Sequence, residues 1–147
     1  MKRTWRFPVI TLFSAGLLVA GLAIAEEEEE TPLGKIMAKV QKNNATILKN
    51  VRTKVAFAKG QQSVVSAAED LTKLGKEARE IPDAAKEAKR PMKEWTDLMD
   101  TFIKQSEEFA KLAAKKETTY DVAKKAYNAN VVKACNDCHK IFRPDEE

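Results

Sequence analysis

Both cysteines and the sole histidine of this 147-residue chain fall within five consecutive positions, Cys135-Asn136-Asp137-Cys138-His139. That concentration constrains the fold more than any other feature. At 100° per residue, an α-helix brings positions 135, 138 and 139 within an arc of roughly 100°. One helix can therefore present two thiols and an imidazole to one flat object. Cys-x-x-Cys-His in this order is the pattern of c-type haem attachment. In that reading the thiols would add across the haem vinyl groups, and the imidazole would bind the iron from one face.

Rival chemistries for these residues fare worse against the rest of the chain. A structural zinc site takes four Cys or His ligands, and no Cys or His exists outside the motif. A thioredoxin-like dithiol needs its first cysteine at a helix N-terminus, where the dipole lowers the thiol pKa. Here the pair sits late in a helical pattern, where the dipole has the opposite sign. A plain disulfide between positions i and i+3 of a helix closes a small, awkward loop, and it leaves His139 unexplained.

At the other end, residues 1–25 read as a secretory signal peptide. Lys2, Arg3 and Arg6 form a basic start, Val9 to Leu22 is largely apolar, and Ala23-Ile24-Ala25 is a small-x-small cleavage signal. The uncharged run from Phe7 to Ala25 is just long enough to span a bilayer if it is kept as an anchor. The leader has no cysteine to acylate and no adjacent pair of arginines, which fits export as an unfolded chain. A periplasmic or otherwise exported destination suits c-type haem, which is attached where free thiols must be managed.

Removing the leader's three basic residues leaves 23 basic against 22 acidic. The balance argues against a nucleic-acid partner, and against a membrane once the leader is cut. Residues 26–30 are five glutamates, expected to be a solvated acidic spacer. Residues 31–147 suffice for one domain. Its Lys, Ala and Glu dominance, with only Gly34, Gly60 and Gly75, predicts an all-α fold.

Four amphipathic patterns follow. The first opens at Thr31-Pro32, a cap followed by an N1 proline. Its stripe is Leu33, Ile36, Met37, Val40, Ile47, Leu48, Val51 and Val55, with an expected end near Gly60. The second runs from about Ser63 to Glu80 through Val64, Val65, Ala68, Leu71, Leu74 and Ala78. Residues 83–90 read as a connector with room for a short helix. Pro91 opens the third, with Met92, Trp95, Leu98, Met99, Phe102, Ile103, Phe109 and Leu112 on one side. The fourth starts at Thr118-Thr119, with Thr118 and Asp121 as a capping-box variant. It carries Tyr120, Ala123, Tyr127, Val131, Ala134, Cys135 and Cys138 inward until Pro144.

Four such helices on short connections predict an antiparallel up-down-up-down four-helix bundle with covalent haem near the C-terminus. In that topology the end of the last helix lies beside the starts of the first and third. Cys135 and His139 should then face Leu33 to Val40 and Met92 to Met99. Leu48 and Leu112 should lie in the lower bundle.

A C-terminal Cys-x-x-Cys-His on the last of four helices, followed by Ile141-Phe142-Arg143, resembles the class II c-type cytochromes. These are the cytochrome c-prime family and its six-coordinate relatives. The resemblance implies Cys135 and Cys138 as the thioether cysteines and His139 as the proximal iron ligand. It also implies pocket roles for Arg143, which matches a basic residue often kept near the proximal face, and for Trp95, similar to a tryptophan early in the family's third helix. Members with an apolar residue over the iron are five-coordinate and bind nitric oxide or carbon monoxide. Members with a first-helix methionine are six-coordinate electron carriers. Met37 lies on the inner stripe about one turn into the first helix and is the favoured distal ligand, with Met92 an alternative and Met99 plain core. Lys133 and Lys140, beside the motif, read as solvated surface or as a docking rim.

The chain therefore reads as an exported monohaem c-type cytochrome, not an enzyme, carrying one haem c and exchanging single electrons with other exported redox proteins. A gas-binding sensor or scavenger is the alternative. A peroxidase is disfavoured, because no second histidine exists to act as acid and base. Bundles of this type can also pair into homodimers.

Overall fold

The computed structural model describes residues 31–143. The leader expected at 1–25, the acidic spacer expected at 26–30 and the helix stop expected at Pro144 lie outside the described residues. Among the described residues every regular element is helical, with no strand. In chain order they are α1 (Pro32–Asn50), α2 (Lys54–Arg79), α3 (Asp83–Glu87), α4 (Met92–Ala113) and α5 (Tyr120–Ala126). A π-helical segment (Tyr127–Val132) and α6 (Lys133–Phe142) complete them. The last three run on without interruption, so the Cys-x-x-Cys-His motif sits on the final stretch of one long helix.

Thr31 caps α1 as its sequence predicts, its hydroxyl accepting from the Gly34 N–H at 3.0 Å. The expected end near Gly60 is corrected. α1 stops at Asn50, and Thr53, in extended conformation, caps α2 by accepting from the Ala56 N–H at 3.1 Å. Gly60 lies inside α2, where a Cβ would come within 1.8 Å of Asn50 Oδ1. It marks a close crossing of the two helices rather than a stop.

The break at 51–53 also ends the apolar stripe read as continuous. Ile47 and Val51 take the core positions, while Leu48 is about 100° further round and exposed, as is Val55 beyond the turn. In α2 every residue of the expected stripe is buried. The connector does contain a short helix, α3, with Ala84 and Ala85 buried.

Contacts between distant residues fix the directions. The Trp95 indole N–H donates to Ala78 O at 3.2 Å near one end of the α2–α4 pair, and Gln61 Nε2 donates to Ala113 O at 2.8 Å near the other. These two helices are antiparallel. Tyr120 at the start of the last helix donates its hydroxyl to Arg52 O at 3.0 Å, just past the end of α1. Phe109 packs on Tyr127 with ring centroids 5.5 Å apart, and Trp95 meets Phe142 edge-on at 5.3 Å. The last helix thus runs against both α1 and α4. α1 packs chiefly on α2, and the last helix chiefly on α4.

Two apolar clusters result. The lower one centres on Ile47, Phe57, Val64, Phe109 and Tyr127. The upper one joins Ile36, Leu74, Ala78, Trp95, Met99, Cys138 and Phe142. At the upper end α2 and α4 approach closely at Gly75, where a Cβ would lie 2.9 Å from Phe102 Cδ1 and Ile103 Cγ1.

The last helix differs from its sequence reading in two places. Its cap is Thr119, which accepts from the Val122 N–H at 3.4 Å, while Thr118 donates its hydroxyl to Leu112 O at 2.6 Å and closes the preceding turn. Its middle is π-helical instead of α-helical. The inner residues Ala123, Tyr127 and Val131 are spaced four apart, and each such step drifts 40° from the face of an ideal α-helix. The wider π turn takes up the drift, and all three stay fully buried.

Candidate functional site

The upper cluster surrounds a cleft of about 600 Å³ between α1 and α6. This lies within the range of about 300–1,000 Å³ typical of cofactor sites. α1 contributes Leu33, Met37, Val40, Gln41 and Asn44, and α6 contributes Ala134, Cys135, Cys138, His139 and Phe142, with Arg143 just beyond its end. Trp95, Met99 and Phe102 of α4 form the back, and Gly75, Ala78 and Ala84 give it a smooth side without projecting chains. The sequence-predicted residues Cys135, Cys138, His139, Arg143, Trp95 and Met37 all line this one space.

Burial grades them. Cys138 and Trp95 are buried, Cys135 and Met37 half-buried, and His139 and Arg143 sit at the solvent rim. Met92 is on the surface and does not line the cleft. Met99 is buried core as expected, yet it also borders the cleft.

Asp137, between the cysteines, turns outward and pairs with Lys133 and Lys140. The two lysines are thus exposed and partnered within their own helix turn. Their ammonium groups hold the Asp137 carboxyl below its usual range, the Lys133 hydrogen bond being the larger cause.

The ionisation of the motif bears on its chemistry. Burial pushes both thiols up, Cys138 to about 11 with help from neighbouring Cys135. Partial burial, then the Arg143 charge, lowers His139. The shift favours the neutral imidazole, the form with a lone pair to give. A redox dithiol requires the opposite thiol shift, which counts against the thioredoxin-like reading. The two sulfurs are not bonded to each other, and no group of three or more His, Cys, Asp or Glu among the described residues is placed to hold a metal ion.

In protein made without haem, alkylation of Cys138 should therefore climb with pH until about pH 11, because only the thiolate reacts. An unfolded chain would instead titrate near the ordinary value of about 8.5. Rates measured against pH, with each thiol followed by mass spectrometry, separate the two cases.

Sequence reasoning missed the far wall. Asn44 accepts a hydrogen bond at Oδ1 from the fully buried Tyr127 hydroxyl, so an amide in the cleft wall is fixed by the first residue of the π-helical segment. Burial raises the Tyr127 pKa and keeps the phenol a donor. Asn44 reads in sequence only as an interruption of the α1 stripe. Gly75, Ala78 and Ala84 carry no signal at all, since a small residue beside a cleft looks like any other small residue.

The donor set and the shape fit a flat, largely apolar cofactor anchored by two thiols and one imidazole. No described helix is long and apolar enough to cross a membrane. Comparison of the chain with protein-family models, with curated proteins and with solved structures gives no match.

Proposed function

We propose that this chain is an exported monohaem c-type cytochrome with a four-helix-bundle fold, and that it carries single electrons. The observation that carries the reading is the meeting of Cys135, Cys138, His139 and Met37 on the walls of one apolar cleft. Haem, when bound, supplies one-electron exchange between ferric and ferrous iron.

The chain's own residues do the rest. Cys135 and Cys138, three residues apart on one helix face, would hold the cofactor by thioether bonds. His139, whose pKa is lowered by burial and then by Arg143, would offer its imidazole nitrogen to the iron. Met37, across the cleft on α1, would offer a thioether sulfur, and a His/Met pair would raise the reduction potential. Trp95, Phe102 and Phe142 exclude water. The packing of Trp95 against Phe142 and its bond to Ala78 O hold that wall in one position, which limits rearrangement when the charge changes. The basic start, apolar run and small-x-small signal of residues 1–25 support an exported location, and other exported redox proteins are the implied partners.

Visible spectra of oxidised and reduced protein, with and without carbon monoxide, test this. A methionine-to-ferric charge-transfer band that disappears in Met37→Leu and survives in Met99→Leu is the expected result. Loss in Met99→Leu alone moves the distal ligand to α4. A broad high-spin spectrum that shifts with carbon monoxide replaces the electron carrier by a gas-binding protein.

A further inference from the structure

Charge is distributed unevenly along this chain. Between residues 31 and 68 there are seven basic side chains and no acidic one. Beyond residue 68 acids and bases alternate and pair: Arg79 with Asp100, Lys93 with Asp97, Lys111 with Glu107, Lys133 with Asp137. In the acid-free stretch, only Lys54 is ion-paired to a described residue, with Asp121 at 3.8 Å.

Four of the seven form a pattern. Lys35, Lys39, Lys42 and Lys49 are all exposed and fall on one side of α1. The stripe is about 21 Å long at 1.5 Å per residue. Ala38 lies about 55° round α1 from the stripe and Gly34 about 95°, and both border the cleft. Neither projects more than a methyl group, so the lip adds little to the width of α1 between a partner on the lysines and whatever the cleft holds.

We propose that this face of α1 is a docking surface for the acidic patch of a partner protein, which exchanges electrons across the Gly34–Ala38 lip. The proposal rests on the electron-carrier reading and adds where the partner sits and what its surface carries. Charge complementarity selects an acidic occupant. A nucleic acid would be met with arginine forks and stacking aromatics, and the stripe has neither. A membrane surface would be met with bulky apolar side chains between the lysines, whereas Thr46 stands within the stripe and Ala38 and Ala45 beside it, the exposed Leu48 lying more than about 100° further round. Lysines on a small rim suit the weak, fast, salt-sensitive encounters of redox proteins.

The test compares two charge-matched triples in the full chain: Lys35→Glu, Lys39→Glu, Lys42→Glu against Lys104→Glu, Lys116→Glu, Lys125→Glu. The first readout is the rate of oxidation by hexacyanoferrate(III), an anion that uses the same electrostatic approach. At low salt the α1 triple should slow about tenfold and the control less than about twofold, with the difference erased at high salt. Should the α1 glutamate triple fail to fold, the corresponding glutamine triple gives the same ordering with a smaller effect.

The second readout is retention on immobilised poly-L-glutamate, which needs no haem. The parent and the control should be retained and the α1 triple released. Equal behaviour of the two triples overturns the proposal, as does tighter binding of the parent to duplex DNA or to phosphatidylserine vesicles than to poly-L-glutamate. A parent without a redox-active chromophore overturns the electron-carrier reading instead, and poly-L-glutamate retention then judges the docking face alone.

Discussion

Replacing Cys135 and Cys138 together by serine is expected to abolish covalent haem retention. Acid–acetone extraction should remove all colour from the double variant and none from the parent, and the mass of the denatured polypeptide should fall by one haem. The expectation follows from placement as well as pattern. Both sulfurs border the same cleft, three residues apart on α6, and no other cysteine exists to take their place. Each single serine variant retains one thioether and should stay coloured after extraction. If the double variant keeps haem through extraction, thioether attachment is wrong, and with it the central assignment. His139 stays in place in this variant, so any reversible binding it supports is read separately from the covalent link.

Trp95→Ala is expected to destabilise the fold by about 3–5 kcal/mol, the usual cost of removing a large buried aromatic. Trp95 is 2% exposed, lies edge-on to Phe142 and hydrogen-bonds the Ala78 carbonyl. Its removal unsupports the back wall of the cleft and the end of α6 in one step. Trp95→Phe keeps most of the packing and loses the N–H bond. Because Ala78 O also accepts from the Ile81 N–H at 3.0 Å, that variant should lose only about 1 kcal/mol from the bond itself. Urea denaturation followed by circular dichroism gives both values. A cost below about 1 kcal/mol for Trp95→Ala would mean that the upper cluster contributes little, and that the lower cluster around Phe109 and Tyr127 carries the fold.

How much of this was readable from sequence depends on what kind of signal each feature leaves. Thr31-Pro32 announced α1 because a hydroxyl cap and an N1 proline are local chemistry that needs no tertiary partner. The motif residues announced their shared face because 3.6-residue geometry is independent of context. The α1–α2 boundary left almost no local trace: residues 51–53 contain neither glycine nor proline, and only the Thr53 cap marks it. Gly60 gave a false stop because its purpose is the approach of Asn50, a tertiary fact. The cap moved from Thr118 to Thr119 because two adjacent threonines offer the same hydroxyl, and a hydrogen bond to Leu112 O claims the first. The cleft walls supplied by Gly75, Ala78 and Ala84 matter through what they do not fill, which a pattern of side chains cannot express. The positions of Met37 and Trp95 on the walls were within reach because antiparallel packing alone decides which helix ends meet.

The π-helical segment has a further consequence for the cleft above it. Tyr127–Val132 contains no proposed ligand, yet it sets the angle at which the rest of the long helix leaves the lower core. Recasting those six residues as α-helix without removing one would turn the whole Cys-x-x-Cys-His face by about 100°, the angle of the one extra residue that a π turn holds. Two thiols and an imidazole, unchanged in sequence and spacing, would then address solvent or a neighbouring helix. The aim of the site is thus held in the backbone a turn beneath it, and spacing within the motif is only half of its specification.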